Sequence, residues 1–147
     1  MENYHLIING KPHHVDKEII TGEELLKVIG IVYPAEFEIL ERKSTEEWAP
    51  VEQAQPVKLK KEQPNEFNVR HYREVSLFLD DEEYPFTEIF MTPKAIMGLA
   101  ELNPQTHYLK QILGHTDITY KNDPDHIIGM RNGMKFSSCK IASTPVS

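Results

Sequence analysis

Apolar and polar residues alternate along the first positions of the chain in the manner of a β-hairpin. Leu6 and Ile8 fall on one face, the pair Asn9-Gly10 follows, and the alternation resumes towards Val15. An Asn-Gly pair between two alternating runs is a strong hairpin signal, because a tight two-residue turn needs positive φ at both positions. The pattern therefore predicts two antiparallel strands joined by this turn.

A short amphipathic helix is predicted directly after the hairpin, within residues 21–30. Thr21 offers a hydroxyl oxygen to the first free N–H groups, and Glu24 stands where it completes a capping box. Leu25 and Leu26 follow at helical spacing, and Gly30 is expected to end the helix because glycine tolerates the left-handed conformation.

The same arrangement begins again 71 residues later. Its matches are Leu6 with Leu77, Ile8 with Leu79, His13 with Tyr84, Val15 with Phe86, Ile19 with Phe90, Thr21 with Thr92, Leu25 with Ile96 and Leu26 with Met97. In the second copy Asp80-Asp81 replaces the turn pair, Pro93 takes the first helical position, and Asn103-Pro104 is expected to end the helix. The apolar pattern is kept although the residues differ, which favours duplication.

The later parts of the two halves correspond more loosely. Val57 matches Ile128, Leu59 matches Met130, and Phe67 matches Phe136 once a gap of two residues is allowed. Each half then contains a hairpin, a helix, a strand, an irregular stretch and closing strands, with a closing hairpin expected around "RNG". Chance similarity within one α+β domain is the alternative, and the repeated offsets favour two copies.

A hairpin covered on one face by a single helix leaves an open sheet edge that later strands must complete. The compact solution places the last strand beside the first and the helix across a mixed sheet, which is the β-grasp fold. We therefore predict an α+β protein of two tandem ubiquitin-like β-grasp domains, residues 1–70 and 71–136. Residues 137–147, which are small and polar, are predicted to form a flexible C-terminal tail.

Charge and composition narrow the functional classes. The net charge of −7, without a concentrated lysine and arginine footprint, argues against a nucleic-acid surface. No apolar run reaches the roughly 20 residues of a membrane span, and the N-terminus lacks the pattern of a signal peptide. We expect a soluble protein of the cytoplasm whose partners are proteins.

Several segments resemble a known family. The hairpin "IINGK", the helix start "ITGEELL", the strand "AEFEIL" and the late strand "VKL" are similar to bacterial multi-ubiquitin domains. A chain with two such units resembles the tandem ubiquitin-like modifiers of bacterial antiviral conjugation systems, which are compared with the interferon-induced two-domain modifier of vertebrates. The resemblance implies an activating enzyme, a conjugating enzyme, a JAB-type deconjugating peptidase and a target protein as partners.

Such modifiers act through a C-terminal carboxylate at the end of a slim tail, usually glycine. Here Gly129 and Gly133 lie too early, and no terminal di-glycine is present. One interpretation is a precursor that a peptidase shortens, leaving the carboxylate at Ser137, Ser138 or Cys139. The other is a protein that is never conjugated and serves as a non-covalent adaptor.

The remaining candidate residues favour structural roles. Cys139, the single cysteine, is expected to be an ordinary thiol unless processing exposes it as the terminal residue. His13-His14 and the histidines and aspartates of "HTDITYKNDPDH", expected to be a solvated loop, lack the fixed spacing of a zinc site. Trp48 is expected in a core or at a contact between the domains. We predict no enzymatic activity, no metal and no cofactor.

Overall fold

The computed structural model describes residues 3–142, and the chain divides into two compact units with the boundary between Arg73 and Glu74. This boundary lies slightly later than the predicted one at residue 70, because the last strand of the first unit continues to His71. Within the described residues, no helix has the length and apolar character needed to cross a membrane.

The described part of the first unit contains seven strands, one α-helix and a short 3-10 helix at Pro34–Glu36. In chain order the strands and the α-helix are β1 (Tyr4–Ile8), β2 (Lys11–Val15), β3 (Ile19–Thr21), α1 (Gly22–Val28), β4 (Phe37–Arg42), β5 (Trp48–Val51), β6 (Pro56–Lys58) and β7 (Asn65–His71). Five strands form one mixed sheet in the order β2-β1-β7-β4-β5, and β3 pairs with β6 in a separate two-stranded sheet. β1 and β7 are parallel, and the other pairs are antiparallel.

The second unit repeats this plan. Its elements are β8 (Val75–Leu79), β9 (Glu82–Phe86), β10 (Phe90–Met91), α2 (Pro93–Leu99), β11 (His107–Leu113), β12 (Thr116–Thr119), β13 (Ile128–Gly129) and β14 (Lys135–Lys140). The five-stranded sheet has the order β12-β11-β14-β8-β9, and β10 pairs with β13. β8 and β14 are the parallel pair.

The parallel pairs of the two units have the same register. Ile8 lies opposite Phe67 in the first unit, and Leu79 lies opposite Phe136 in the second. This confirms the match of the two phenylalanines, including the gap of two residues. In each unit the last strand lies beside the first, and the sheet follows the β-grasp order.

Both predicted hairpin turns are present. Asn9 and Gly10 have φ of 52° and 79°, and Asp80 and Asp81 have φ of 52° and 69°. Two consecutive positive φ angles define the type I′ turn, whose twist matches that of the flanking strands. The second copy keeps this turn without glycine, since aspartate tolerates the left-handed region better than most residues.

The start of each helix agrees with its capping signal. The Thr21 hydroxyl accepts the Glu24 N–H at 3.2 Å, and the Glu24 carboxylate accepts the Thr21 N–H at 3.1 Å, which confirms the capping box. In the second unit the Thr92 hydroxyl accepts the Ala95 N–H at 3.1 Å. Ala95 has no side-chain acceptor to return the bond.

The ends of the helices are also alike, and here one expectation is wrong. Gly30, with φ of 82°, follows α1 as predicted. Asn103-Pro104, by contrast, does not end α2. Glu101 takes the left-handed position with φ of 57°, and Leu102 N–H returns to the Met97 carbonyl at 3.0 Å. A Schellman motif therefore closes α2 with a non-glycine residue.

Each unit buries an apolar core of its own between the helix and one sheet face. Seven of the eleven matched pairs are buried in both copies, as for Leu6 and Leu77 at 0% exposure, whereas the pairs that involve His13, Val15, Ile19 and Thr21 are not. Ile19 is 55% exposed, because Ile20 is the residue of β3 that points inward at 2%. The core of the second unit contains Val75, Leu77, Leu79, Phe86, Met91, Ile96, Met97, Leu109, Tyr120, Ile128, Met130 and Phe136.

Two further expectations for the second unit are corrected. The segment around "RNG" does not form a closing hairpin, because β13 pairs with β10. The segment predicted to be a solvated loop contains the strand β12 and the buried residue Tyr120, whose N–H donates to the Leu109 carbonyl at 2.9 Å. With these corrections, the fold is α+β with two tandem β-grasp units, as predicted.

Candidate functional site: the last strand and the chain that follows it

The residues predicted to start the tail lie in the central strand of the second sheet. Ser137, Ser138 and Cys139 belong to β14 and face Lys110, Leu109 and Tyr108 of β11. This is a correction to the expected tail boundary. β11 continues far enough for β14 to pair as far as Lys140, and pairing satisfies main-chain groups that would otherwise need water. Residues 143–147 of the predicted tail lie outside the described part.

A side chain of the turn between β8 and β9 fixes the middle of β14. The Asp80 carboxylate accepts the Ser138 N–H at 2.8 Å and also accepts the Ser138 hydroxyl. Asp80 is exposed and Ser138 is half-buried, so this ionic acceptor keeps one side towards water. Hydrogen bonds to a charged acceptor are stronger than neutral ones. β14 is thereby held to the unit at a point beyond its parallel contact with β8.

The first unit has the same contact made with different groups. Asn9 accepts the Val69 N–H at 2.7 Å and donates its amide to the Val69 carbonyl at 3.0 Å. An asparagine can both donate and accept, whereas an aspartate carboxylate only accepts. In the second unit the Ser138 hydroxyl supplies the second donor. The two copies therefore reach the same result with compensating residues.

The last inter-strand contact marks where the chain leaves each unit. Ile141 N–H donates to the Thr106 carbonyl at 2.8 Å, and Tyr72 N–H donates to the Glu36 carbonyl at 3.2 Å. These bonds occupy equivalent positions just after β14 and β7. The hydrogen-bonded body of the second unit thus extends through Ile141, and a tail of this chain begins no earlier than Ala142.

Cys139 lies on the face of the sheet opposite α2 and is half-buried. It lies across from Tyr108, and hydrogen bonding to Cys139 is the main reason that the pKa of Tyr108 is raised. A catalytic cysteine needs an electropositive setting and a base within reach. The thiol instead contacts a tyrosine hydroxyl, so the geometry gives Cys139 a packing role within β14.

The corresponding face of the first sheet is polar. Arg42 Nη1 lies 2.8 Å from Glu66 Oε2, and Arg70 pairs with Glu38, so two ion pairs cross the strands on this face. Trp48 is 37% exposed, with the Arg42 guanidinium 5.8 Å from its ring centroid. The expectation of Trp48 in the core is therefore wrong, since this first residue of the edge strand β5 remains exposed.

The other candidate side chains do not converge on one site. His126 Nδ1 lies 3.1 Å from Asp123 Oδ2, and the ring of His5 stacks on that of His14 at 4.9 Å. Within residues 3–142, no group of three or more histidine, cysteine, aspartate or glutamate side chains is placed to hold a metal ion. In β9, Tyr84 donates to Glu82 at 2.9 Å, and this bond raises the pKa of Tyr84.

Comparison with known proteins identifies the first unit. The sequence model of the Multiubiquitin family matches residues 4–70, which cover β1 to nearly the end of β7. No curated protein matches the chain significantly. The second unit has the same strand order, the same parallel central pair and the same turn contact to its last strand. The first unit is therefore a member of the Multiubiquitin family, and the chain is a tandem of two ubiquitin-like β-grasp domains.

Proposed function

We propose that the protein is a tandem ubiquitin-like modifier whose C-terminal carboxylate is activated and joined to target proteins in a bacterial antiviral defence pathway. The observation that supports this proposal most is the position at which the chain leaves the sheet of the second unit. In the second unit the main chain is held as far as Ile141, after which it can leave the sheet without loss of a strand. The role is that of a protein substrate in the cytoplasm, without catalysis by the modifier.

The chemistry rests on partner enzymes. In the activating enzyme the carboxylate attacks ATP, which forms an acyl adenylate and releases pyrophosphate. An enzyme thiolate then displaces AMP to form a thioester, and a target lysine amine displaces the thiolate to form an amide. A conjugating enzyme carries the thioester, and a JAB-type peptidase hydrolyses the amide or trims a precursor.

The fold supports one proposed position for the reacting carboxylate. A cut after Ser137, Ser138 or Cys139 would remove residues of β14 that pair with β11, and the first of these cuts would also remove the Asp80 contact. Such a product would lose part of the central strand of its sheet. These losses support a reacting carboxylate C-terminal to Ile141, beyond the last hydrogen bond to the body, and we propose it there.

The test compares the full chain with a chain that ends at Ile141. Both keep β14, so the circular dichroism and thermal unfolding of the two proteins are expected to agree. Each is incubated with the cognate activating and conjugating enzymes, ATP and a cell extract. We expect adducts that resist SDS from the full chain and none from the shortened chain. Equal adduct formation by the two chains would contradict the proposal.

A second candidate function is a non-covalent adaptor, favoured by the exposed Trp48 beside Arg42, since both residue types are common at the centres of protein interfaces. An adaptor would form stable complexes with its partners through the folded units. In the same experiment, complexes that survive gel filtration but yield no covalent adduct from either chain would support the adaptor. Mass spectrometry after incubation with the peptidase would then show an unshortened chain.

A further inference from the structure

The outer edges of the two five-stranded sheets are not equally protected. Four strands form these edges in residues 3–142, namely β2, β5, β9 and β12. Three of them contain a proline: Pro12 in β2, Pro50 in β5 and Pro85 in β9. Proline has no N–H to donate and its ring hinders the approach of another strand, so it is a common protection of sheet edges. β12 is the edge without it.

β12 is also the most accessible of these strands. All four of its residues, Thr116–Thr119, are exposed. Ile118 is 42% exposed, and Leu113, on the same side of the β11–β12 hairpin, is 45% exposed. Threonine and isoleucine favour strands. The edge therefore combines free hydrogen-bonding positions with apolar side chains that another strand can cover.

The alternation of the ladder shows which main-chain groups of β12 are available. Tyr120, directly after β12, donates its N–H inward to the Leu109 carbonyl at 2.9 Å. In an antiparallel pair, residues whose N–H and C=O groups point to the partner strand alternate with residues whose N–H and C=O groups point away from it. Ile118 therefore points its main-chain groups towards β11, whereas Asp117 and Thr119 point theirs away from the sheet.

We propose that β12 pairs with β12 of a second copy of this chain, antiparallel and centred on Ile118, to form a continuous ten-stranded sheet. In this register the outward groups of Asp117 meet those of Thr119 in the second copy. The two Ile118 side chains then lie side by side at the closely spaced position of the ladder.

Charge and symmetry favour a second copy as the occupant. Asp117 is the only charged residue of β12, and the proposed register places it opposite a threonine, so no like charges face each other. Lys110, on the neighbouring strand, lies 4.0 Å from Asp117 and partly compensates its charge. With a two-fold axis between the two Ile118 residues, the outward N–H and C=O groups of both β12 strands are paired by the same contact. A contact that uses the same surface on both copies is isologous.

Sedimentation velocity of the full chain tests the association from about 10 μM to about 1 mM, the range suited to a small interface. We expect a reversible monomer–dimer equilibrium. Ile118→Lys and Thr119→Pro are each expected to weaken the dimer at least tenfold. Thr119→Pro removes an outward donor without removing a bond to β11. Ile127→Lys, at a side chain 69% exposed outside the sheet, is the control and is expected to dimerise normally.

Cross-linking tests the register in a Cys139→Ser background. In the closely spaced pair the two Cα atoms at position 118 would be about 4.5 Å apart, within the range of disulfides. Ile118→Cys is therefore expected to form a disulfide dimer with oxidised glutathione, and Thr119→Cys is expected to form much less. A monomer at every concentration, or equal cross-linking at both positions, would overturn the proposal. Circular dichroism of each variant confirms that it is folded.

Discussion

Asp80 and Ser138 are joined by two hydrogen bonds, one to the serine N–H and one to its hydroxyl, although they are far apart in the sequence. The equivalent residues of the first unit, Asn9 and Val69, are also joined twice, with the asparagine acting as both donor and acceptor. The contact is therefore a property of the repeated fold, and it joins the first turn to the last strand.

This contact predicts a specific compensation. Ser138→Ala is expected to lower the free energy of unfolding of the second unit by about 1 kcal/mol, because one hydrogen bond is lost. Asp80→Asn is expected to change little while Ser138 is present. In the Ser138→Ala background it should recover part of the loss, since the amide can donate to the strand carbonyl as Asn9 does. Urea unfolding followed by circular dichroism measures each variant.

Trp48, the only tryptophan, gives this experiment an internal control. Its fluorescence reports on the first unit, whose unfolding should not change in any of these variants. If Asp80→Asn has the same effect in both backgrounds, the two residues are not coupled and the interpretation is wrong.

Gly22 is required by a close approach of main chains at the start of α1. A Cβ at this position would lie 2.5 Å from the Glu52 carbonyl oxygen, a contact that real Cβ atoms essentially never make. Gly22→Ala is expected to destabilise the first unit by about 1–3 kcal/mol, the usual cost of forced repacking. The midpoint of urea unfolding, followed by Trp48 fluorescence, measures the loss.

The matched control is Gly98→Ala in α2, where nothing lies within 4 Å of the added Cβ. Here alanine should stabilise the second unit by about 0.5–1 kcal/mol, because glycine is the poorer helix former. The two substitutions are chemically identical, so their opposite signs would isolate the effect of packing.

The C-terminal end of α2 offers a stabilising substitution. Glu101 has φ of 57°, a conformation that costs a side-chain-bearing residue about 1 kcal/mol or more. Glu101→Gly is expected to raise the stability of the second unit by about 0.5–1 kcal/mol. Glu101→Ala removes the same charge but keeps the unfavourable conformation, so it should not stabilise. Thermal unfolding of the two variants separates these effects.

The capping box predicts a pH dependence. Glu24 accepts a hydrogen bond from Lys17 at 2.7 Å, and this bond, with that from Thr21, lowers the pKa of the Glu24 carboxyl. A lowered pKa in the folded state means that ionised Glu24 contributes stability above its unfolded pKa. That contribution is lost as the pH falls through the lower folded value.

The variant Glu24→Gln keeps the geometry of the capping box and removes the charge. The stability difference between the native chain and this variant should be present at pH 7 and should shrink below about pH 4.3, where glutamate in unfolded chains titrates. Urea unfolding at a series of pH values measures it. A difference that is independent of pH would show that ionised Glu24 does not stabilise the first unit.

Local signals predicted much of each unit. The turn pair Asn9-Gly10, the cap at Thr21 and the stop at Gly30 act on neighbouring residues, so their effects can be read from the sequence alone. Seven of the apolar matches, such as Leu25 with Ile96, also lie in the core as predicted, whereas Ile19 and Phe90 do not. These features agree because local preference and burial favour the same structure.

Long-range contacts account for what was missed. The polar residues Ser137 and Ser138 have the composition of a tail, but pairing with β11 and the bond to Asp80 place them in a strand. The match of Phe67 with Phe136 would have indicated how far β14 extends. β7 continues to His71, so an equally long last strand in the second unit would reach Lys140.

The joint between the two copies has a consequence for processing. Main-chain bonding in the first copy continues to Tyr72, and the first strand of the second copy begins at Val75. Only Arg73 and Glu74 connect these points. This connection is too short to bind in extended form in the cleft of a protease. An enzyme that separates such repeats into single copies would first have to unravel a strand. Under the proposed function, each attachment to a target is therefore expected to deliver both copies at once.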